Sequence, residues 1–200
     1  MNIVVDFSKN EVLPRLNYLV GAPIALTYRA IDIAIGAVGG LAAICTLGMH
    51  RETTNFAAKH LSSSKHLLST PYFHLLRVIN PNAKLDTNKL SIMDSRLFSR
   101  VGRIDDAAYG YSSSNNFLER HVCSRLSYAL LAISCTIEGI ANGLIGIPTV
   151  LFSILTLGKF SSINNVAYDS LSKTSGTIGD LFFCAIKLIN PQTNTSLLLF

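Results

Sequence analysis

The sequence is short of charge. Asp, Glu, Lys and Arg make up 14% of its 200 residues, against 49% apolar residues, where soluble domains carry about 25% charged. So apolar a chain is not globally disordered. It must cover its surface with Ser, Thr and Asn, or place apolar surface in a membrane. It also lacks a C-x-x-C pair: Cys45, Cys123, Cys135 and Cys184 stand apart, which argues against a disulfide framework and for four buried free thiols. The N-terminus, MNIVVDFSKNEVLP, has no basic start, long apolar run or small-residue cleavage site. It is not a cleavable signal peptide, though a non-cleaved bacterial secretion signal is compatible with it. Asn194-Thr195-Ser196 is a formal glycosylation sequon, without meaning outside a secretory context.

Enzymatic signatures are missing too. There is no G-x-x-x-x-G-K-[ST] and no G-x-G-x-x-G after a strand, so no nucleotide cradle is written here. Gly110-Tyr111-Ser112-Ser113-Ser114 lacks the second glycine of a nucleophile elbow. Asp105 and Asp106 are adjacent and diverge in a helix or strand. Cys123 and His121 are badly spaced for a helical nucleophile and base. His50, His60, His66 and His74 lack the carboxylate or cysteine spacing of a metal site. No nucleic-acid motif or aromatic platform is present. The expectation is a non-enzyme without metal or cofactor.

What the chain does contain is itself, twice. Residues 15–84 align with 125–194 at a constant offset of 110, without a gap, and about a quarter of the pairs are identical. Arg15-Leu16-x-Tyr18 pairs with Arg125-Leu126-x-Tyr128, Thr46-Leu47-Gly48 with Thr156-Leu157-Gly158, and Ile79-Asn80-Pro81 with Ile189-Asn190-Pro191. Fixed-period self-similarity indicates a repeated structural unit. Residues 1–84 form a first helical repeat, 85–124 a linker, and 125–200 a second repeat.

Each repeat opens with a long apolar stretch, Leu16–Met49 or Leu126–Gly158, too long for a strand. Both are expected to be helical, with interruptions at Pro23 and near Pro148. Gly48 and Gly158 suit the left-handed residue beyond a helix. A second helix follows over 51–68 and 161–175, then a break at Ser69-Thr70-Pro71 or at Gly176 and Gly179. A short third helix over 72–79 and 180–189 stops at Asn-Pro. The linker offers a short helix at Ser91–Val101 and a mobile polar loop at Gly110–Asn116. The fold expected is all-α: an internally duplicated helical bundle, two three-helix units related by the 110-residue offset.

Gly139–Gly158 runs uncharged for about the length a bilayer needs, and Ile33–His50 for slightly less. Gly36-x-x-x-Gly40 and Gly139-x-x-x-Gly143 would suit close helix packing in lipid. Against spanning, Gly and Ala dilute both runs, Asn142 and Pro148 weaken the second, and Arg29 and Asp32 could share an exposed face. A stable peripheral bundle and a two-span integral protein both remain open.

The excess positive charge has an address. Residues 15–84 carry seven Lys/Arg and two acids, whereas 125–194 carry four and three. At about 100° per residue, Arg51, Lys59, Lys65 and His66 fall on one face of the second helix, and Phe56, Leu61, Leu67 and Leu68 on the other. A basic amphipathic helix suits an anionic membrane surface, at about 1 kcal/mol for each basic residue. It equally suits any soluble helix with a polar outside. Ser161–Ser175 has only Asp169 and Lys173.

Ile33–Met49, Gly139–Gly158 and the Arg51–His66 face together resemble chlamydial secreted, membrane-associated early effectors. The resemblance implies a peripheral protein that binds anionic phospholipid such as phosphatidylserine at a host membrane and curves it. It further implies a membrane-remodelling partner such as a BAR-domain sorting nexin. A third possibility is a soluble protein-protein interaction module.

Overall fold

The computed structural model describes Asp6 and residues 8–85 and 98–193, and these are helices and turns without a strand. Helix α1 is Leu13–Cys45, α2 Arg51–Leu61, α3 Ser69–Ile79, α4 Phe98–Ser112, α5 Ser124–Leu155 and α6 Ser161–Ile189. Of the expected Ser91–Val101 helix, residues 91–97 lie outside the described residues, as does the sequon. The chain is all-α as expected.

Both long helices run through their prolines, at 33 residues for α1 and 32 for α5. Pro23 and Pro148 are exposed, so nothing packed behind the helix has to yield to the ring, and the carbonyl freed four residues earlier is not locked in a core. Both helices end alike. Gly48 N–H donates to Ala43 O and Gly158 N–H to Ser153 O, each at 2.8 Å, with φ of 67° and 65°. The preceding Leu47 and Leu157 are left-handed as well. Glycine takes this conformation freely, whereas leucine does so at a cost.

The expected three-helix second unit is corrected to a two-helix hairpin. α6 continues through Gly176 and Gly179, where Thr174 Oγ1 donates to Ser170 O and Thr177 Oγ1 to Lys173 O along the same helix. In the first unit α2 instead gives way at Leu61 to a 3₁₀ segment, Ser62–His66. Ser63 turns its hydroxyl to Asp32 of α1 rather than to its own backbone, the competition that makes serine a poor helix interior. Pro71 does not break the chain but sits in the first turn of α3, where its missing N–H has no intrahelical partner to lose.

The Asn-Pro stops are built alike too. Asn80 and Asn190 are extended, with their N–H groups on Leu76 O and Ile186 O. Arg77 reaches Pro81 O at 2.6 Å and lies over the rings of Tyr18 and Phe73. Lys187 reaches Thr193 O at 2.5 Å and Pro191 O at 3.4 Å, over Tyr128 and Phe183. A cation is favourable at a helix C-terminus and over an aromatic face. Burial lowers the Lys187 pKa, a shift opposed by Asp105.

α1 packs on α2 and α3, α5 on α6, and the 3₁₀ segment with α3 against α6. The direction is antiparallel: Gly179 meets Leu61 and Ser64, Gly176 meets Lys65, and Gly158, just before α6, meets Leu76 and Ala83. Among the described residues α1 and α5 do not touch. They are the outer helices, with the Ser- and Asn-rich segments between them. A buried network joins the halves: Tyr72 Oη donates to Ser153 Oγ, Ser153 Oγ to Asn164 Oδ1, and Asn164 Nδ2 to Gly158 O. α4, in the expected linker, packs Ile104 and Ala108 into a cluster with Tyr128, Leu131, Cys135, Phe183 and Cys184. It also extends into the expected polar loop, ending at Ser112. Cys135 and Cys184 are buried as expected, but Cys45 is exposed and Cys123 half-buried.

Candidate membrane-binding surface

The outer helices turn leucine and isoleucine outward. On α5 the exposed residues include Leu126, Leu130, Ile133, Ile137, Ile140, Leu144, Ile147, Leu151 and Leu155, with Leu144 70% and Leu155 80% exposed. Their spacing of three and four residues puts them on one stripe, about 40 Å long at 1.5 Å per residue. On α1, Leu16, Val20, Ile24, Tyr28, Ile31, Ile35 and Val38 are exposed in the same rhythm. The apolar helices Ser8–Cys45 and Glu119–Leu155 are long enough to cross a membrane, and only 22% and 28% of their most apolar stretches are buried. The core helix of a soluble protein is mostly buried, whereas these stretches are mostly exposed. The glycine pairs serve the inner faces: Gly36 lies against Leu61, Gly40 against Phe182, Gly139 against Thr177 and Gly143 against Thr174.

The cationic helix is rearranged. The α-helical wheel holds to Leu61 and not to Lys65, His66, Leu67 or Leu68, which follow in the 3₁₀ segment and a turn. Arg51, Lys59, Phe56 and Leu68 are exposed. Leu61 is buried against Gly36, and Lys65, His66 and Leu67 are half-buried. His66 has its pKa lowered by burial first, then by Arg29 and Lys65. It is therefore neutral at pH 7 and adds no positive charge.

Beside these residues lies a polar clasp that sequence reasoning missed. Asp32 Oδ1 lies 2.5 Å from His60 Nδ1, and Ser63 Oγ donates to the other carboxylate oxygen. Both bonds, Ser63 first, lower the Asp32 pKa. Asp32 therefore pairs across the hairpin rather than with Arg29 on an exposed face. Asp32 sits 28 residues before His60, so only the helix pairing brings them together. Asp, His and Ser here are no catalytic relay, because the serine bonds the carboxylate rather than the imidazole. Among the described residues no group of three or more His, Cys, Asp or Glu could hold a metal.

The second hairpin holds acids instead. Glu138 is pushed up to about 7, by burial against the partly opposing charge of Lys173, and Asp180 to about 6 by burial. Unfolded Glu138 ionises near 4.5, so folding takes up a proton between that pH and about 7. Its contribution to stability falls as pH rises through that window. Urea unfolding of the wild type and Glu138→Gln at pH 5 and pH 8 should show the variant's advantage growing at pH 8. An equal difference at both values would remove Glu138 as the cause.

No family model, curated protein or solved structure matches this chain.

Proposed function

We propose that this chain is a non-enzymatic protein that binds anionic membrane surfaces through the outward apolar faces of its outer helices, α1 and α5. The exposed Leu/Ile stripes carry the proposal. Fully burying such a side chain stabilises by about 1.5–3 kcal/mol, and those on α5 are already partly covered. At about 1 kcal/mol each, the nine named there amount to roughly 9 kcal/mol. The exposed Arg51 and Lys59 together offer about 2 kcal/mol. Apolar insertion thus dominates, and the basic residues bias the choice of lipid.

A lying orientation is favoured over crossing by the packing of the hairpins. α2 and α3 run along α1, so a spanning α1 would take exposed Arg51, Glu52 and Lys59 into hydrocarbon at about 3 kcal/mol each.

We also read the two hairpins as copies of one unit. The turns, the cation-capped Asn-Pro stops and the contacts between the halves support this. Gly48 lies against Ile186 and Thr193, and Gly158 against Leu76 and Ala83, each residue 110 positions from its counterpart. Ser175 Oγ donates to Lys65 O, likewise 110 apart. Reciprocal contacts of this kind are those of an isologous interface, here within one chain.

The test is co-sedimentation with vesicles containing phosphatidylserine. Arg51→Glu with Lys59→Glu should weaken binding about 100-fold at low salt, the loss of about 2 kcal/mol of attraction being joined by repulsion of the new carboxylates, and less at 1 M salt, where these charges are screened. Carbonate should release the bound protein. Retention after carbonate would favour insertion across the bilayer, and failure to bind any vesicle would favour the soluble interaction module.

A further inference from the structure

An apolar groove of about 760 Å³ runs between α1 and the start of α2. Ala34, Ile35, Val38, Gly39 and Ala42 form one side, and Phe56 the other. His50, Glu52 and Thr53 line it as well, at the start of α2. The volume falls within the range of small-molecule sites, which are mostly apolar with a few polar groups. The second hairpin has larger side chains at several of the corresponding positions. Leu144 stands where the first has Ala34, Thr149 where it has Gly39 and Phe152 where it has Ala42; Phe160 and Ile163 replace His50 and Thr53. The second hairpin carries its bulkier groups opposite a smaller one, Val166 in place of Phe56, so the open groove belongs to the first hairpin's own residues.

We propose that this groove binds the acyl chain of a single-chain zwitterionic lipid. The charge at its polar end selects the headgroup. Glu52 lines the groove, and Arg51, exposed beside it, opens the same helix, whose N-terminal N–H groups favour an anion. A head with one ammonium and one phosphate complements both side chains. A purely anionic head would face the Glu52 carboxylate, and a purely cationic head the Arg51 guanidinium. The apolar walls take the chain, over about 12 Å from Ala34 to Ala42 at 1.5 Å per residue.

Isothermal titration with dodecanoyl lysophosphatidylcholine below its micelle threshold tests the site without vesicles, so its failure is separable from failure of the membrane surface. One saturable site is expected. Ala34→Leu with Ala42→Phe, side chains already carried by the other hairpin, should weaken it at least 10-fold while the circular dichroism and vesicle binding stay those of the wild type. Glu52→Gln should weaken lysophosphatidylcholine more than lysophosphatidylglycerol. Absence of saturable binding, unchanged affinity in a folded Ala34→Leu/Ala42→Phe variant, or wild-type preference for lysophosphatidylglycerol would each overturn the proposal. Should the double variant unfold, Val38→Trp blocks the groove from its outer wall, and the same 10-fold loss is required.

Discussion

Ile137→Asp with Leu144→Asp is expected to abolish vesicle binding and leave the fold intact. Both side chains are well exposed, at 62% and 70%, and neither belongs to a buried cluster of the described residues. Their replacement therefore opens no cavity and strands no partner. On the membrane each change withdraws the gain of burying an apolar side chain and brings a carboxylate to an anionic surface. At about 2 kcal/mol apiece the pair gives roughly 4 kcal/mol, or about 1000-fold in affinity. The basic-residue substitutions should do less and depend on salt, whereas this loss should persist at 1 M salt, since insertion is unscreened. Wild-type binding by a folded double aspartate variant would show that α5 does not enter the bilayer.

That experiment bears on a stripe that is legible in the sequence. Leucine and isoleucine at alternating three- and four-residue steps from Leu126 to Leu155 are plain in the sequence. Sequence alone does not say whether such a stripe faces a core or the outside. The answer depends on α5 meeting α6 through Tyr128, Leu131, Cys135 and Gly139, on the opposite side. Local signals did better. Thr-Leu-Gly and Asn-Pro act through φ, ψ and a few hydrogen bonds within six residues, and both turns are built as expected. Serine was the hard case. Ser63 leaves the helix for Asp32, whereas Ser134 stays helical and bonds Leu130 O. The difference lies in a carboxylate on the neighbouring helix, which no local propensity contains. The α-helical spacing of the cationic segment likewise ends at Leu61, where His60 and Ser63 bond Asp32 and the chain tightens into a 3₁₀ segment.

Gly36→Ala should be among the most damaging single changes in the chain, although alanine is the better helix former. A methyl there would lie 2.8 Å from Leu61 N and 3.0 Å from His60 Cβ. Backbone cannot rotate aside as a side chain can, so α1 and α2 must separate. Separation strains the Asp32–His60 and Asp32–Ser63 bonds, leaving a half-buried carboxylate with poorer partners. Overpacking costs about 1–3 kcal/mol, and loss of hydrogen bonds to a charged group about 1.5–3 kcal/mol each. A total near 4 kcal/mol is expected, a large part of the stability of an ordinary domain. Two glycines in α5 and α4 calibrate the result. At Gly146 the nearest neighbour is Ser170 Cβ at 3.3 Å, so alanine should cost much less. At Gly110 nothing lies within 4 Å, and alanine should stabilise by about 0.5–1 kcal/mol through helix propensity alone. Urea unfolding of the three variants reads the series directly. If Gly36→Ala is as stable as Gly110→Ala, the close approach of α1 to α2 is wrong. The groove between those helices, the polar clasp and the outward stripe on α1 would then all have to be redrawn, because each depends on which side of α1 the second helix covers.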